Sequence, residues 1–234
     1  MKHYIGIDPS LISTSMVIDG KVFNYCKEKT AVTKQGKYTK WFDVMKDVIT
    51  YRYITIDKVD SYSDSEINKL MSYDIITNMI IKDIEDNIES DNVIIYIEGY
   101  SYSSSVGPLI DLVTFSTLLR RKLLTITTNI TILAPSTLKL ESCKLTYEPI
   151  EKKIGGKNPR TEYIWKNKLG IAGGSFSKHD MMDAILENDD FKDLDYVKVL
   201  HENKNSIMFT KTIKKPIEDS NDAYLLYLVA KKYN

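Results

Sequence analysis

The stretch NVIIYIEGY, residues 92–100, decides how the rest of the chain folds. Val93 to Ile97 are apolar or aromatic without alternation, the pattern of a strand covered on both faces. The run closes on an acid, Glu98, followed by glycine. Helical periodicity lies on both sides of it. Before it, Ile67, Leu70, Met71, Ile75, Met79, Ile80, Ile84 and Ile88 recur at spacings of three and four between Ser63 and about Ser90, with Asp64 or Ser65 as cap. After a Ser/Tyr/Gly bend, Leu109, Leu112, Val113, Leu119 and Leu123 mark a second helix from about Val106 to Leu124. NITILAPS (129–136) is a further strand, stopped by Pro135. Strands joined through helices run parallel, with right-handed crossovers.

The N-terminal third reads differently. HYIGID (3–8), TSMVID (14–19) and KVFNYCKE (21–28) form an antiparallel meander, with Asp19-Gly20 as a hairpin turn. YRYITID (51–57) adds an edge strand or a separate ribbon. The expected fold is α/β: a mixed five-stranded sheet, meander plus parallel strands, flanked by helices in one domain over 1–234. Residues 141–174 lack periodicity and read as an insertion. SKHDMMDAILEN (177–188) is a short helix with Ser177 as N-cap. A second insertion, 189–216, reads as irregular, with possible strands at YVKVLHE (196–202) and SIMFTKTI (206–213). Its acids Asp189, Asp190, Asp193 and Asp195 read as a solvated loop. A terminal helix closes the chain.

The composition excludes several classes. With 43% hydrophobic residues, ten glycines and six prolines, the chain is neither disordered nor fibrous. Two cysteines without CxxC spacing argue against a disulfide framework or zinc module and fit a reducing compartment. No apolar run approaches the ~18 residues of a membrane span, and MKHYIGIDPS enters a strand without a signal-peptide core. The expected location is the cytoplasm of a bacterial or virus-infected cell. The net charge is zero. Yet residues 118–168 hold eleven Lys or Arg against four acids, so this segment is +7 and the remainder −7. A basic middle on an acidic frame suits a polyanion, and equally a solvated loop.

Four acids carry the chemistry. Asp8 and Glu98 end their strands alike, as IGID and IYIE, where open α/β sheets present ligands. The terminal stretch KKPIEDSNDAYLLYLVAKKYN (214–234) opens its helix with Glu218, Asp219 and Asp222. Acids in a first turn complement the helix dipole, but Asp219 and Asp222 at i and i+3 also share a face. Two carboxylates ~4 Å apart repel by about 4 kcal/mol at an effective dielectric near 20. No Lys, Arg or His stands beside either strand acid in the sequence. A bound cation removes that repulsion. All-oxygen donors without Cys or His select Mg²⁺ or Mn²⁺ over zinc.

At this point the residues resemble a known family. YIGIDPSLISTSMVI, YIEGYSYSS, APSTLK, GIAGGSFSKHDM and EDSNDAYLLYLVA resemble, in order, the segments of the RuvC Holliday-junction resolvases. The resemblance implies a ribonuclease H-like fold and a two-Mg²⁺ nuclease centre, with Mn²⁺ able to substitute. It implies Asp8, Glu98, Asp219 and Asp222 as metal ligands, and Lys178 as a DNA-phosphate contact beside the scissile bond. It also implies cleavage of four-way or other branched DNA in recombination and repair, and a homodimer formed through the helix at 106–124. The long segments at 141–169 and 189–216 depart from the family pattern. With the Ile/Lys/Asn/Tyr-rich composition, they suit a phage or other viral relative. Lys139, Lys144, Lys152, Lys153, Lys157 and Arg160 are the expected DNA contacts of the basic segment, and Tyr100 and Tyr102 can stack on an exposed base or simply pack a turn. Three readings stay open beside the resolvase: a ribonuclease H-like nuclease on flaps or RNA–DNA hybrid, a catalytically silent branched-DNA scaffold, and a sugar-kinase/actin-like ATPase. The last lacks its glycine-rich phosphate loops.

Overall fold

A computed structural model describes residues 1–27, 39–55, 59–90, 92–100, 105–155 and 160–234; Tyr102 and Lys157 lie outside them. The main sheet holds β1 (His3–Asp8), β2 (Ser13–Ile18), β3 (Lys21–Lys27), β4 (Ile49–Ile54), β5 (Val93–Glu98) and β6 (Ile130–Leu133), in the order β4-β3-β2-β1-β5-β6. β1, β2 and β3 pair antiparallel, while β5 runs parallel to both β1 and β6. The hairpin turn has Asp19 and Gly20 both at positive φ, 47° and 90°, as a two-residue turn of this hand requires. The sheet has six strands rather than five. The expected strand begins two residues earlier, and ITYRYI joins the sheet as β4, parallel to β3. The crossover includes α1 (Thr39–Val44), whose Trp41 and Phe42 are buried; Phe42 meets Tyr51 of β4 at 5.0 Å between ring centroids.

Two apolar clusters cover the sheet, one on each face. On the first side lie α2 (Tyr62–Asn87) and α3 (Val106–Leu123). The cap of α2 is Ser61, not Asp64 or Ser65: its hydroxyl accepts from the Asp64 amide at 3.0 Å. Only the second half of its apolar stripe is core. Ile67, Leu70, Met71 and Ile75 are exposed, as are Val106, Ile110 and Val113 on α3.

The other face carries α4 (Pro135–Thr146), α5 (Lys178–Leu186), α6 (Asp195–Glu202), α7 (Lys204–Met208) and α8 (Ile217–Tyr233). The first insertion is thus not irregular. Residues 141–146 finish α4, and β7 (Pro149–Ile154) pairs with β8 (Arg160–Trp165) as an antiparallel ribbon apart from the main sheet. The possible strands at 196–202 and 206–213 are also corrected: the first lies in α6, and the second begins in α7. Tyr196, Val197 and Leu200, at i, i+1 and i+4, all turn inward, which a strand would not allow. Asp189, Asp190, Asp193 and Asp195 are exposed, as a solvated segment requires.

α8 is apolar almost all round because it is covered all round, by β1, β2 and β5 beneath and α4 and α5 above. Gly6 sets its depth. A Cβ there would lie 2.1 Å from the Ala223 carbonyl oxygen and 2.4 Å from the Tyr227 nitrogen, so only glycine lets strand and helix backbones approach this closely. That approach lays the first turns of α8 across the carboxyl end of β1. Among the described residues, no helix is long and apolar enough to cross a membrane.

Candidate metal centre

Asp8 and Glu98 are the last residues of adjacent parallel strands whose register sets Ile7 opposite Ile97. Their side chains therefore emerge side by side. Asp222, from the second turn of α8, comes down between them, and one oxygen from each of the three lies within 4.8 Å of the others. Asp8 and Asp222 are buried and Glu98 is half-buried. The Asp8 and Glu98 carboxyls thus face one another at close range.

Two lysines answer the helix acids. Lys178, in the first turn of α5, donates to Asp222 Oδ2. Lys215 donates to Asp219 Oδ1 from four residues earlier, and to Ser10 Oγ at 3.3 Å. Asp219 does share a helix face with Asp222, yet it does not join the three-carboxylate group. Its Oδ2 is buried without a hydrogen bond of normal geometry, the nearby Ser13 hydroxyl being committed to Asn24.

Beneath the acids is a polar floor. Asn24 Nδ2 on β3 donates to Ser13 Oγ (2.8 Å) and Ser15 Oγ (2.7 Å), and Ser15 Oγ meets Ser220 Oγ at 3.1 Å. Ser220 sits between Asp219 and Asp222, so these bonds fix the helix that carries them. Behind Glu98, Arg120 of α3 donates to the Tyr100 hydroxyl (2.9 Å) and to the Glu98 carbonyl oxygen (3.4 Å). Its guanidinium carbon is 4.5 Å from the Tyr100 ring centroid, so one face of the expected base-stacking ring is already covered.

The electrostatics follow from burial. Burial, then the charge of Glu98, holds the Asp8 carboxyl well above the usual range. Burial and Asp222 push Glu98 up to about 7. Burial raises Asp219 to about 6 against the opposing pull of Lys215. Asp222 is raised by burial, with Lys178 opposing. Lys178 itself would be lowered by burial, but Asp222, Glu98 and Asp8 outweigh this and hold it above the ordinary lysine value. Free of metal, the pocket gathers protons. A hard divalent cation fits the same donors: buried oxygens only, with no sulfur or imidazole among them.

The expected DNA contacts are less gathered. Lys139 and Lys144 are on α4, which starts beside the acids and runs away for about 18 Å. Lys144 pairs with Glu141 at 2.7 Å and lies 5.0 Å from the Trp165 ring centroid. Lys152, Lys153 and Arg160 are exposed on the ribbon, where Arg160 pairs with Glu162 at 2.6 Å. His179 contacts the Thr210 carbonyl oxygen at 3.0 Å. Sequence reasoning missed Lys215, which sits in the turn before α8 and so outside the i,i+4 pairing rule for helical residues. It also missed Asn24, a lone amide within an otherwise apolar strand. Arg120 left no signal, since its partners are 20 and 22 residues away. No protein-family model matches the sequence, and no curated protein matches it.

Proposed function

We propose that the chain is a Mg²⁺-dependent endonuclease of the ribonuclease H-like, RuvC type, acting on four-way or otherwise branched DNA. The observation that carries this reading is the convergence of Asp8, Glu98 and Asp222 within 4.8 Å at the carboxyl edge of a mixed sheet. An antiparallel meander beside parallel strands is also what the family resemblance implies. Asp8, Glu98 and Asp222 would hold the ion, with Asp219 beside them on the same helix. The chemistry such an ion supplies when bound is activation of water and stabilisation of charge on a phosphoryl oxygen. The chain's own part is to seat the phosphodiester. Lys178, partly exposed at the mouth, is placed to leave Asp222 for a phosphate oxygen. The bonds among Asn24, Ser13, Ser15 and Ser220 anchor the turn of α8 that carries Asp222. The exposed apolar faces of α2 and α3 support a homodimer: Met71 is 58% and Ile110 60% exposed.

The test is incubation of wild type, Asp8→Asn and Asp222→Asn with a four-way junction, a flap and an RNA–DNA hybrid, with and without Mg²⁺. Wild type should cut the junction only with Mg²⁺. Both variants should bind it without cutting, and binding should weaken steeply with salt. Preferential cutting of the flap or hybrid would move the substrate within the superfamily. Absence of any Mg²⁺-dependent cutting would remove the nuclease reading. Ile110→Glu should convert a dimer to a monomer in light scattering.

A further inference from the structure

We infer that Lys215 is a built-in counter-ion that replaces one of two cations at this centre. The free protein then takes a single divalent ion on Asp8, Glu98 and Asp222, and Asp219 is withheld from it. This rests on the metal reading of the same site and departs from the two-ion centre that the family resemblance implies.

The geometry separates the two aspartates of α8. Asp222 offers an oxygen to the group shared with Asp8 and Glu98, and Asp219 does not. What holds Asp219 is the Lys215 ammonium, which reaches its Oδ1 from the turn just before α8 and is tied also to Ser10 Oγ, 3.3 Å away, in the segment after β1. The two lysines of the site are not equivalent. The Lys178 side chain is 35% exposed and can turn outward, whereas Lys215 is only 16% exposed. Lys215 cannot leave without uncovering the carboxylate of Asp219, which is itself nearly inaccessible.

Counting charge leads to the same place. With the four carboxylates Asp8, Glu98, Asp219 and Asp222 ionised, Lys178 and Lys215 leave the pocket at −2, which one divalent ion cancels. Glu218, half-buried one residue before Asp219, adds only a charge partly screened by solvent. A second divalent ion would compete with an ammonium already on Asp219 and leave a buried excess of positive charge, an arrangement that low-dielectric sites reject. Buried lysine therefore does part of the work that a second metal ion would do. It does so before any substrate arrives.

The experiment counts Mn²⁺ ions bound to the full chain by loss of the free-ion electron paramagnetic resonance signal. Wild type should bind one ion, and Lys215→Arg should also bind one. Lys215→Met should bind two, with the first at least tenfold tighter than in wild type. The double variant Lys215→Met/Asp219→Asn should return to one ion, with an affinity within about threefold of wild type. The double variant carries the test if Lys215→Met alone does not fold, because it removes the buried charges together. A large loss of affinity in the double variant would show Asp219 to be a ligand and overturn the inference. So would two comparable ions in wild type, or a folded Lys215→Met that still binds one. Two ions in wild type would leave the metal reading standing; no bound Mn²⁺ at all would end both.

Discussion

Replacing Asp8 by asparagine should make the metal-free protein more stable while removing its response to Mg²⁺. Asp8 is buried and faces Glu98 and Asp222 with oxygens within 4.8 Å. Two unit charges at that spacing repel by roughly 3–4 kcal/mol at an effective dielectric near 20. The native protein relieves this by retaining protons. With Glu98 raised from 4.5 to about 7, the folded state holds protons that the unfolded chain has released between those values. Stability in chelator should therefore fall as pH rises from about 5 to 8, by up to about 3 kcal/mol for Glu98 alone at ~1.4 kcal/mol per pH unit. The substituted carboxamide would keep a donor for Glu98 and carry no charge. At pH 8 with chelator we expect Asp8→Asn to gain about 1–3 kcal/mol, or roughly 3–8 °C in Tm for a chain of this size. The gap should narrow toward pH 5, where Glu98 keeps its proton. Mg²⁺ should raise the wild-type Tm most at high pH and leave Asp8→Asn unmoved. Thermal melts at the two pH values, with chelator and with Mg²⁺, settle the matter. If Asp8→Asn melts below wild type at pH 8 in chelator, the acids are not crowded and the premise of the site is wrong.

Three further substitutions probe the frame around the acids. Gly6→Ala places a methyl group against the α8 backbone, 2.1 Å from the Ala223 oxygen, and should cost more than about 3 kcal/mol; a Tm within a few degrees of wild type would mean α8 is free to ride outward. Asn24→Ala strips the hydroxyls of Ser13 and Ser15 of their shared donor and should cost about 2–3 kcal/mol by denaturant unfolding. Unchanged stability would show that the floor is not needed to hold α8. Arg52→Met removes both guanidinium bonds to buried Asp83 (2.7 and 3.1 Å), leaving it the Tyr25 hydroxyl at 2.8 Å. A loss of about 1–3 kcal/mol is expected, largely restored in Arg52→Met/Asp83→Asn; equal stability of the two variants would refute the pairing.

The parts of the fold legible in the sequence are those written in local pattern. The meander, the Asp19-Gly20 turn, the buried run at 93–98 and the α5 cap at Ser177 each depend on neighbours a few residues away, and the structure has them all. What escaped depends on where surfaces meet. YVKVLHE alternates like a strand, but burial of Tyr196, Val197 and Leu200 against α8 favours a helix. The apolar stripe of α2 runs the full helix in sequence, and only packing reveals that its first half has no cover among the described residues. Asp8, Glu98 and Asp222 were legible as strand-end and helix-start acids. Their pairings with Lys178 and Lys215 were not, because one depends on tertiary placement and the other on the turn at Pro216 that leads into α8.

That difference between acids and lysines bears on how such a site can exist at all. Four carboxylates brought together by β1, β5 and α8 would oppose folding until a cation arrived, and a chain of marginal stability could not depend on that. Lys178 and Lys215 remove half of the charge, and retained protons on Asp8 and Glu98 remove more, so the pocket can close without metal. The remaining affinity for a cation is then the part of the acids' repulsion that the chain leaves unrelieved. Gly6 lets α8 sit this close, and α4 and α5 above it with the Asn24 floor below deny it the small retreat that would let the carboxylates separate.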